Sequence, residues 1–187
     1  MVSKLIECVF SLKNLVRTGW MQRGVPPSIG ESVADHSFEA SVIAGILACE
    51  LEKRGVRVDV LKPMCIALLH DLPECLTGDI PYYTRRVTAK SKHDAENRAC
   101  KDLLEDYPGL LQLYREWVMQ DTIEAKIAKV AEKLSTLLQA KEYVKLGFDR
   151  ASQIAESMRS ELSGMQKKDE EYKIIVETAI DIFRGYL

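Results

Sequence analysis

Paired cysteines, hairpin turns, long apolar runs and an excess of either charge are all missing from this 187-residue chain. Each absence excludes a class. The five cysteines, Cys8, Cys49, Cys65, Cys75 and Cys100, stand singly with no Cys-x-x-Cys pair. An odd, scattered set without an export signal predicts free thiols in a reducing cytoplasm and argues against a four-cysteine zinc site. Lys and Arg total 26 against 28 Asp and Glu, a net charge of −2. That balance excludes a protein that grips a nucleic-acid polymer by bulk electrostatics, and it gives no support for a polybasic membrane surface. No apolar stretch approaches the roughly 18 residues of a membrane span. Lys4, Glu7 and Lys13 interrupt the first seventeen residues, so they lack the uncharged centre of a signal peptide. Asn-Gly and Asp-Gly are absent and few segments alternate apolar with polar, which leaves almost no strand signal.

What is present is helical periodicity in an ordinary globular composition, 47% apolar and 29% charged. The spacing predicts an all-α fold: one compact domain over residues 1–187, a bundle of about eight helices. The first covers about 3–17, with Leu5, Val9, Leu12 and Val16 at helical spacing. A second runs from Ser32 to Gly55, and a third from Asp59, a plausible N-cap, to Gly78. A loop with Pro81, Tyr82 and Tyr83 follows. Further helices are predicted at about 88–105, 110–120 and 122–147, and two more at 150–164 and 169–185. In the long helix from Thr122 to Gly147, the residues Ile123, Ile127, Val130, Leu134, Leu137 and Val144 form one apolar stripe, which predicts core packing.

Histidine is the scarce chemical group: only His36, His70 and His93 occur. His70 ends the apolar run Ile66-Ala67-Leu68-Leu69 and is followed by Asp71. A polar pair on a buried segment needs compensation, by hydrogen bonds or by a metal ion. Glu74 shares their side of the helix, and Pro73 should kink or loosen that turn. Thr77-Gly78 reads as a stop that leaves Asp79 nearby. His36 is followed by Ala40, Ser41, Ala44, Gly45 and Ala48, small residues that admit a second helix closely. Glu132 has a similar setting among Ala128, Ser135 and Thr136, and a carboxylate on a close-packing face is expected to be paired or metal-bound. His93 sits among charged residues and reads as a surface position. The basic run of Arg85, Arg86, Lys90 and Lys92 reads as a solvated face and receives no role.

Three segments in order, Glu31-Ser-Val-Ala-Asp-His36, His70-Asp-Leu-Pro-Glu74-Cys-Leu-Thr-Gly-Asp79 and Ala128-Lys-Val-Ala-Glu132-Lys-Leu, resemble the HD-domain metal-dependent phosphohydrolases. With Leu12-Lys-Asn-Leu-Val-Arg17-Thr-Gly-Trp20, the chain looks most like their 5'-deoxynucleotidase branch over a core of about 10–147. The resemblance implies a phosphoric monoester hydrolase that removes the 5'-phosphate from deoxyribonucleoside 5'-monophosphates. It implies His36, His70, Asp71 and Glu132 as metal ligands. At the last position the family pattern has Asp and this chain has Glu, longer by about 1.5 Å, so Glu132 ligates directly or hydrogen-bonds to a ligand. Two imidazoles and two carboxylates suit one divalent transition ion (Co, Mn, Zn, Ni or Fe) better than calcium.

The same resemblance gives Glu74 the part of general acid or base, with Asp79 a second candidate that orients water or holds the sugar 3'-hydroxyl. Arg17 is expected on the phosphate, because a guanidinium binds two oxygens at once. Trp20 is expected against the sugar, leaving no room for a 2'-hydroxyl, or else as an anchor of its loop. Arg23 is further positive charge near the same turn. A cytoplasmic homodimer is implied as well. Two alternatives remain at this point: an HD enzyme for triphosphates, cyclic nucleotides or another small phosphate ester, and a non-catalytic helical binding or oligomerisation module.

Overall fold

In a computed structural model, residues 2–81, 84 and 87–186 are described. Tyr82, Tyr83, Arg85 and Arg86, part of the loop and basic run noted above, lie outside the described residues. The described residues are helical apart from turns and one isolated antiparallel bridge between Val16 and Ser32, as the missing strand signals predict. The helices are α1 (Val2–Asn14), α2 (Thr18–Met21), α3 (Val33–Lys53), α4 (Leu61–Leu69), α5 (Glu74–Thr77), α6 (Ala89–Leu104), α7 (Pro108–Met119), α8 (Ile123–Lys145), α9 (Ser152–Met165) and α10 (Glu170–Phe183). A 3₁₀ turn at Asp149–Ala151 leads into α9.

The centre is α8, which packs against α3, α4, α7, α9 and α10. The apolar stripe is part of its burial: Ile127, Val130, Leu134 and Leu137 are sealed in the core, while Ile123 and Val144 are half-buried. Burial extends beyond one stripe, however. From Ala125 to Leu137 only Lys126 and Lys129 retain appreciable exposure, and Glu132, Lys133, Ser135 and Thr136 are buried with the rest. A helix packed on most sides must place polar residues inside: Ser135 meets α3, while Glu132, Lys133 and Thr136 border a cavity. The small residues permit the approach: Ala40, Ala44 and Ala48 of α3 and Ala128 and Ala131 of α8 are fully buried at this packing. Gly45 does the same toward α4, since a Cβ there would meet Met64 Sδ at 2.7 Å. A second core joins Cys8 and Leu12 of α1 to Cys100, Leu103 and Leu104 of α6 and Tyr114 of α7.

Three local expectations need correction. The first helix stops at Asn14, because the chain turns extended to make the bridge. Arg17 N–H donates to the Glu31 carbonyl at 3.0 Å, and Val33 N–H donates to that of Leu15 at 2.9 Å. The single helix expected over 59–78 is two, α4 and α5, with His70 to Pro73 as the turn between them. Pro73 lacks the N–H that a continuing helix would need. Asp59 is not itself the N-cap, which falls at Val60, although its carboxylate still accepts from Leu61 N–H at 3.1 Å. The stop at Gly78 stands: its φ of +72° is readily adopted only by glycine, and it sends the chain on to Asp79.

The start of α3 carries a full capping box. Ser32 Oγ accepts from Asp35 N–H at 3.1 Å, and Asp35 Oδ2 accepts from Ser32 N–H at 3.0 Å. Ser32→Ala is therefore expected to destabilise the protein by about 1 kcal/mol, read by urea denaturation. Unchanged stability would show that this cap does not hold the helix end next to His36.

Candidate metal centre and the adjoining cavity

His36, on the first turns of α3, and His70, at the end of α4, face each other edge to face with ring centroids 5.2 Å apart. Their burial is nearly complete, 0% and 4% exposed. Asp71 follows directly, with Oδ2 at 3.0 Å from His70 Nε2 and 3.9 Å from His36 Nε2. One donor atom from each of the three lies within 4.8 Å of the others. Hydrogen bonds hold the two rings from behind. The Nδ1–H of His70 donates to the Ala67 carbonyl at 2.6 Å, and His36 Nδ1 lies 3.0 Å from Ser135 Oγ. Trp117 of α7, with its ring centroid 4.8 Å from that of His70, supports the second ring.

Glu132 stands beside this trio on α8, outside the set that meets within 4.8 Å among the described residues. Its Oε2 has Lys133 Nζ at 3.3 Å and Lys129 Nζ at 3.4 Å, ion-pair contacts without hydrogen-bond geometry. Burial opposes its charge, but Lys133, Lys129 and the imidazoles outweigh that and hold the carboxyl well below the usual range. Asp71 is likewise held down against burial by His70, His36 and Arg17. His36 moves the other way: burial first, then the Arg17 charge, keep it neutral far below its ordinary value. Neutral imidazole and ionised carboxylate are the forms that bind metal.

Glu74, 6% exposed at the start of α5, has the opposite environment to Asp71. Burial, reinforced by the negative charges of Asp71 and Asp79, pushes its carboxyl up to about 10, although Lys92 Nζ lies 3.7 Å away. Lys92, to which the sequence assigned no role, thus reaches the candidate acid and also pairs with Glu96. His93 is exposed, as expected.

Arg17 is placed by the Val16–Ser32 bridge. One amino group donates to Glu31 Oε2 at 2.9 Å, the other to Thr136 Oγ1 at 3.2 Å. Trp20 is 1% exposed: its Nε1–H donates to the same Glu31 oxygen at 2.7 Å, and its ring meets Tyr143 edge to face at 5.0 Å. The anchoring reading of Trp20 therefore describes its contacts, although it also belongs to a cavity wall. Asp79 Oδ2 accepts from both the N–H and the hydroxyl of Thr18, tying the turn after α5 to α2.

A cavity of about 310 Å³ opens beside the trio. Arg17 and Glu132 form its boundary on the metal side, and Asp79 and Trp20 line it from the α2 side. The far wall is α9, through Gln153, Ile154, Ser157 and Met158. Sequence reasoning missed this wall, since the motifs end before α9. It also passed over Trp117 and Glu39, which carry no motif, and quoted Glu31 without giving it a role.

Comparison with known proteins agrees with this geometry. A family model described as "HD domain" matches residues 9–172. The mouse protein "5'-deoxynucleotidase HDDC2" is 32% identical over 145 residues, covering 75% of this chain and 68% of the relative. A solved structure of a protein from Pyrococcus horikoshii superposes with a TM-score of 0.82 at 32% identity, covering all of this chain and 98% of the other. A conserved hypothetical protein from Pyrococcus furiosus gives 0.78 at 36% identity, covering 94% of this chain and 98% of the other.

The raised Glu74 carboxyl makes a testable statement about stability. The unfolded chain ionises this group near 4.5, whereas the folded chain keeps it protonated up to about 10. The stability held by the protonated form is therefore complete below the unfolded value and erodes as pH rises through the interval. Glu74→Gln, which mimics the protonated carboxyl, should flatten that loss: in chelator-treated protein it should equal the parent near pH 4.5 and exceed it at pH 8.5 in urea denaturation. Parallel pH curves would refute the assignment.

Proposed function

The chain belongs to the HD-domain family, and from that premise we propose that it removes the 5'-phosphate from deoxyribonucleoside 5'-monophosphates with one bound divalent transition-metal ion. The observation that carries the reading is a set of orphaned atoms. Among the described residues, the buried side-chain atoms without a hydrogen-bond partner include His36 Nε2, His70 Nε2 and Glu132 Oε2. Such atoms are expensive to bury unless something binds them. Glu132 Oε2 has two lysines beside it, but the two imidazole nitrogens meet only Asp71, at 3.9 and 3.0 Å, and that nitrogen and oxygen set suits a cation. His36, His70 and Asp71 would hold the ion, with Glu132 the fourth donor. When bound, such an ion polarises the phosphoryl group and makes a water molecule more acidic.

The remaining roles belong to the chain's own groups. Arg17, kept charged by Glu31 and Asp71 against its burial, presents a guanidinium to the phosphate dianion. Water oxygen bonds to phosphorus as the bond from phosphorus to the 5'-oxygen breaks. The protonated Glu74 supplies the proton to that leaving oxygen, and the carboxylate takes one back from the attacking water. Asp79, already fixed through Oδ2 by Thr18, offers Oδ1 to the sugar 3'-hydroxyl. Trp20, locked by Glu31 and Tyr143, is a rigid wall against a 2'-hydroxyl. Ile154 and Met158 give the nucleobase an apolar surface, and a 310 Å³ cavity is of a size for one mononucleotide. The sequence similarity to the mouse 5'-deoxynucleotidase supports this choice of substrate over triphosphates or cyclic nucleotides. A cytoplasmic homodimer belongs to the same reading; the odd, scattered set of five cysteines in the sequence is what supports a reducing compartment.

Phosphate release from dAMP, dGMP, dCMP and dTMP, measured beside the matching ribonucleotides with manganese or cobalt added, should favour the deoxy sugar by up to about a hundredfold. Equal rates on the two sugars would remove the deoxy assignment, and pyrophosphate or triphosphate as product would replace the monoesterase reading.

A further inference from the structure

A neutral imidazole can bind a metal through Nε2 only if its proton sits on Nδ1. The two histidines reach that state differently. His70 Nδ1 faces the Ala67 carbonyl at 2.6 Å, and a carbonyl only accepts, so the proton is fixed there. His36 Nδ1 faces Ser135 Oγ at 3.0 Å, and a hydroxyl both donates and accepts. Ser135 alone leaves the tautomer of His36 open.

Glu39 removes the ambiguity. It lies one turn along α3 from His36, and its Oε2 accepts from the Ser135 hydroxyl at 3.1 Å. The single hydroxyl proton is then committed to Glu39, so the Ser135 oxygen must accept from His36, and the imidazole proton is held on Nδ1. Glu31 Oε1, at 3.9 Å from the same Nδ1, favours a proton there as well. On the other side of the ring, Nε2 is buried without a hydrogen-bond partner, so nothing there competes for the proton.

We propose that Glu39, acting through Ser135, is a positioning residue that fixes the tautomer of His36 and thereby sets the affinity of the centre for its metal ion. This rests on the reading of His36 as a ligand. Glu39 does not line the substrate cavity; it borders a separate groove of about 240 Å³ with Lys141, Lys145 and Phe183. Its hydrogen-bonded link to the centre runs through Ser135 to His36. Outer hydrogen-bond partners of ligating histidines typically change metal affinity by about 10- to 100-fold when removed.

The test compares the full-length parent with Ser135→Ala, Glu39→Gln and Ser135→Thr. Cobalt and manganese affinities are measured by competition with a chelator, and the His36 tautomer is read from ¹⁵N chemical shifts of metal-free protein. Ser135→Ala and Glu39→Gln should each weaken metal binding about tenfold or more and lower the population protonated on Nδ1. Ser135→Thr, which keeps the hydroxyl, should restore both. With saturating metal, kcat should recover in the variants while the metal concentration for half-activity rises. Parental affinity together with a parental Nδ1 tautomer in both Ser135→Ala and Glu39→Gln overturns the proposal. Glu39→Gln remains decisive should the buried Ser135→Ala fail to fold. A parent that binds metal but hydrolyses no nucleotide would sink the substrate reading and leave this inference standing. A parent that binds no metal would sink both, whatever the tautomer.

Discussion

Two imidazoles buried side by side at the meeting of α3, α4 and α8 set the terms for the rest of the molecule. Polar rings there demand partners, and the protein supplies them only from behind, through Ala67 and Ser135. The inward-facing nitrogens are left to each other and to Asp71. Bringing them together requires helix axes close enough for Ala40, Ala44, Ala128 and Ala131 to vanish from solvent. Larger side chains at those positions would push the helices apart and disperse the donors. Close packing and convergence of ligand atoms are thus one constraint stated twice.

Charge is distributed around that point so that neighbouring carboxyls diverge. Asp71 and Glu132 are held ionised against their burial, Glu132 by Lys133 and Lys129, while Glu74, one turn beyond Asp71, is held protonated by burial and by the negative charge of Asp71 itself. Divergent environments give neighbouring carboxyls opposite protonation states without any difference in residue chemistry. The basic groups are apportioned in the same way. Arg17 is bound to Glu31, Lys133 bridges Glu132 and Glu161, and Lys92 leans on Glu74 and Glu96. The site is therefore crowded with charge while remaining close to balanced, which suits an anionic substrate entering beside a cation.

The helical class and the stop at Gly78 were legible because each is written in local spacing, whereas the meeting of His36 with His70 and Asp71 was expected from the resemblance to a known family and not from spacing. What escaped was written in contacts between distant segments. Glu39 looks like any helix-surface acid until Ser135, 96 positions away, is seen to reach it. Trp20 reads as a substrate-facing ring by its motif, yet its indole N–H is spent on Glu31 and its ring on Tyr143. The α9 wall lies past the last motif, and nothing in the periodicity of that helix distinguishes a face lining a cavity from one lining the core. The break after Leu69 was half legible: Pro73 announced a loosened turn, but the turn begins at His70, where the imidazole takes the Ala67 carbonyl for itself.

The glutamate at position 132 is the point where chain and family pattern part, and the surroundings give it a physical sense. The longer side chain carries its carboxylate to two lysines, Lys129 and Lys133. Lys129 in turn sits 4.1 Å above the ring of Trp117, and Trp117 lies against His70. Glu132, Lys129, Trp117 and His70 therefore form a continuous path from α8 through α7 to the end of α4. A shorter carboxylate on the same buried helix would retreat by about one carbon–carbon bond, roughly 1.5 Å, and loosen its hold on Lys129. Because α8 is packed against α3, α4, α7, α9 and α10, its backbone has little freedom to make up that distance. In this chain the extra methylene links the carboxylate to the support of a histidine, so the departure at position 132 and the aromatic brace of His70 belong to one arrangement.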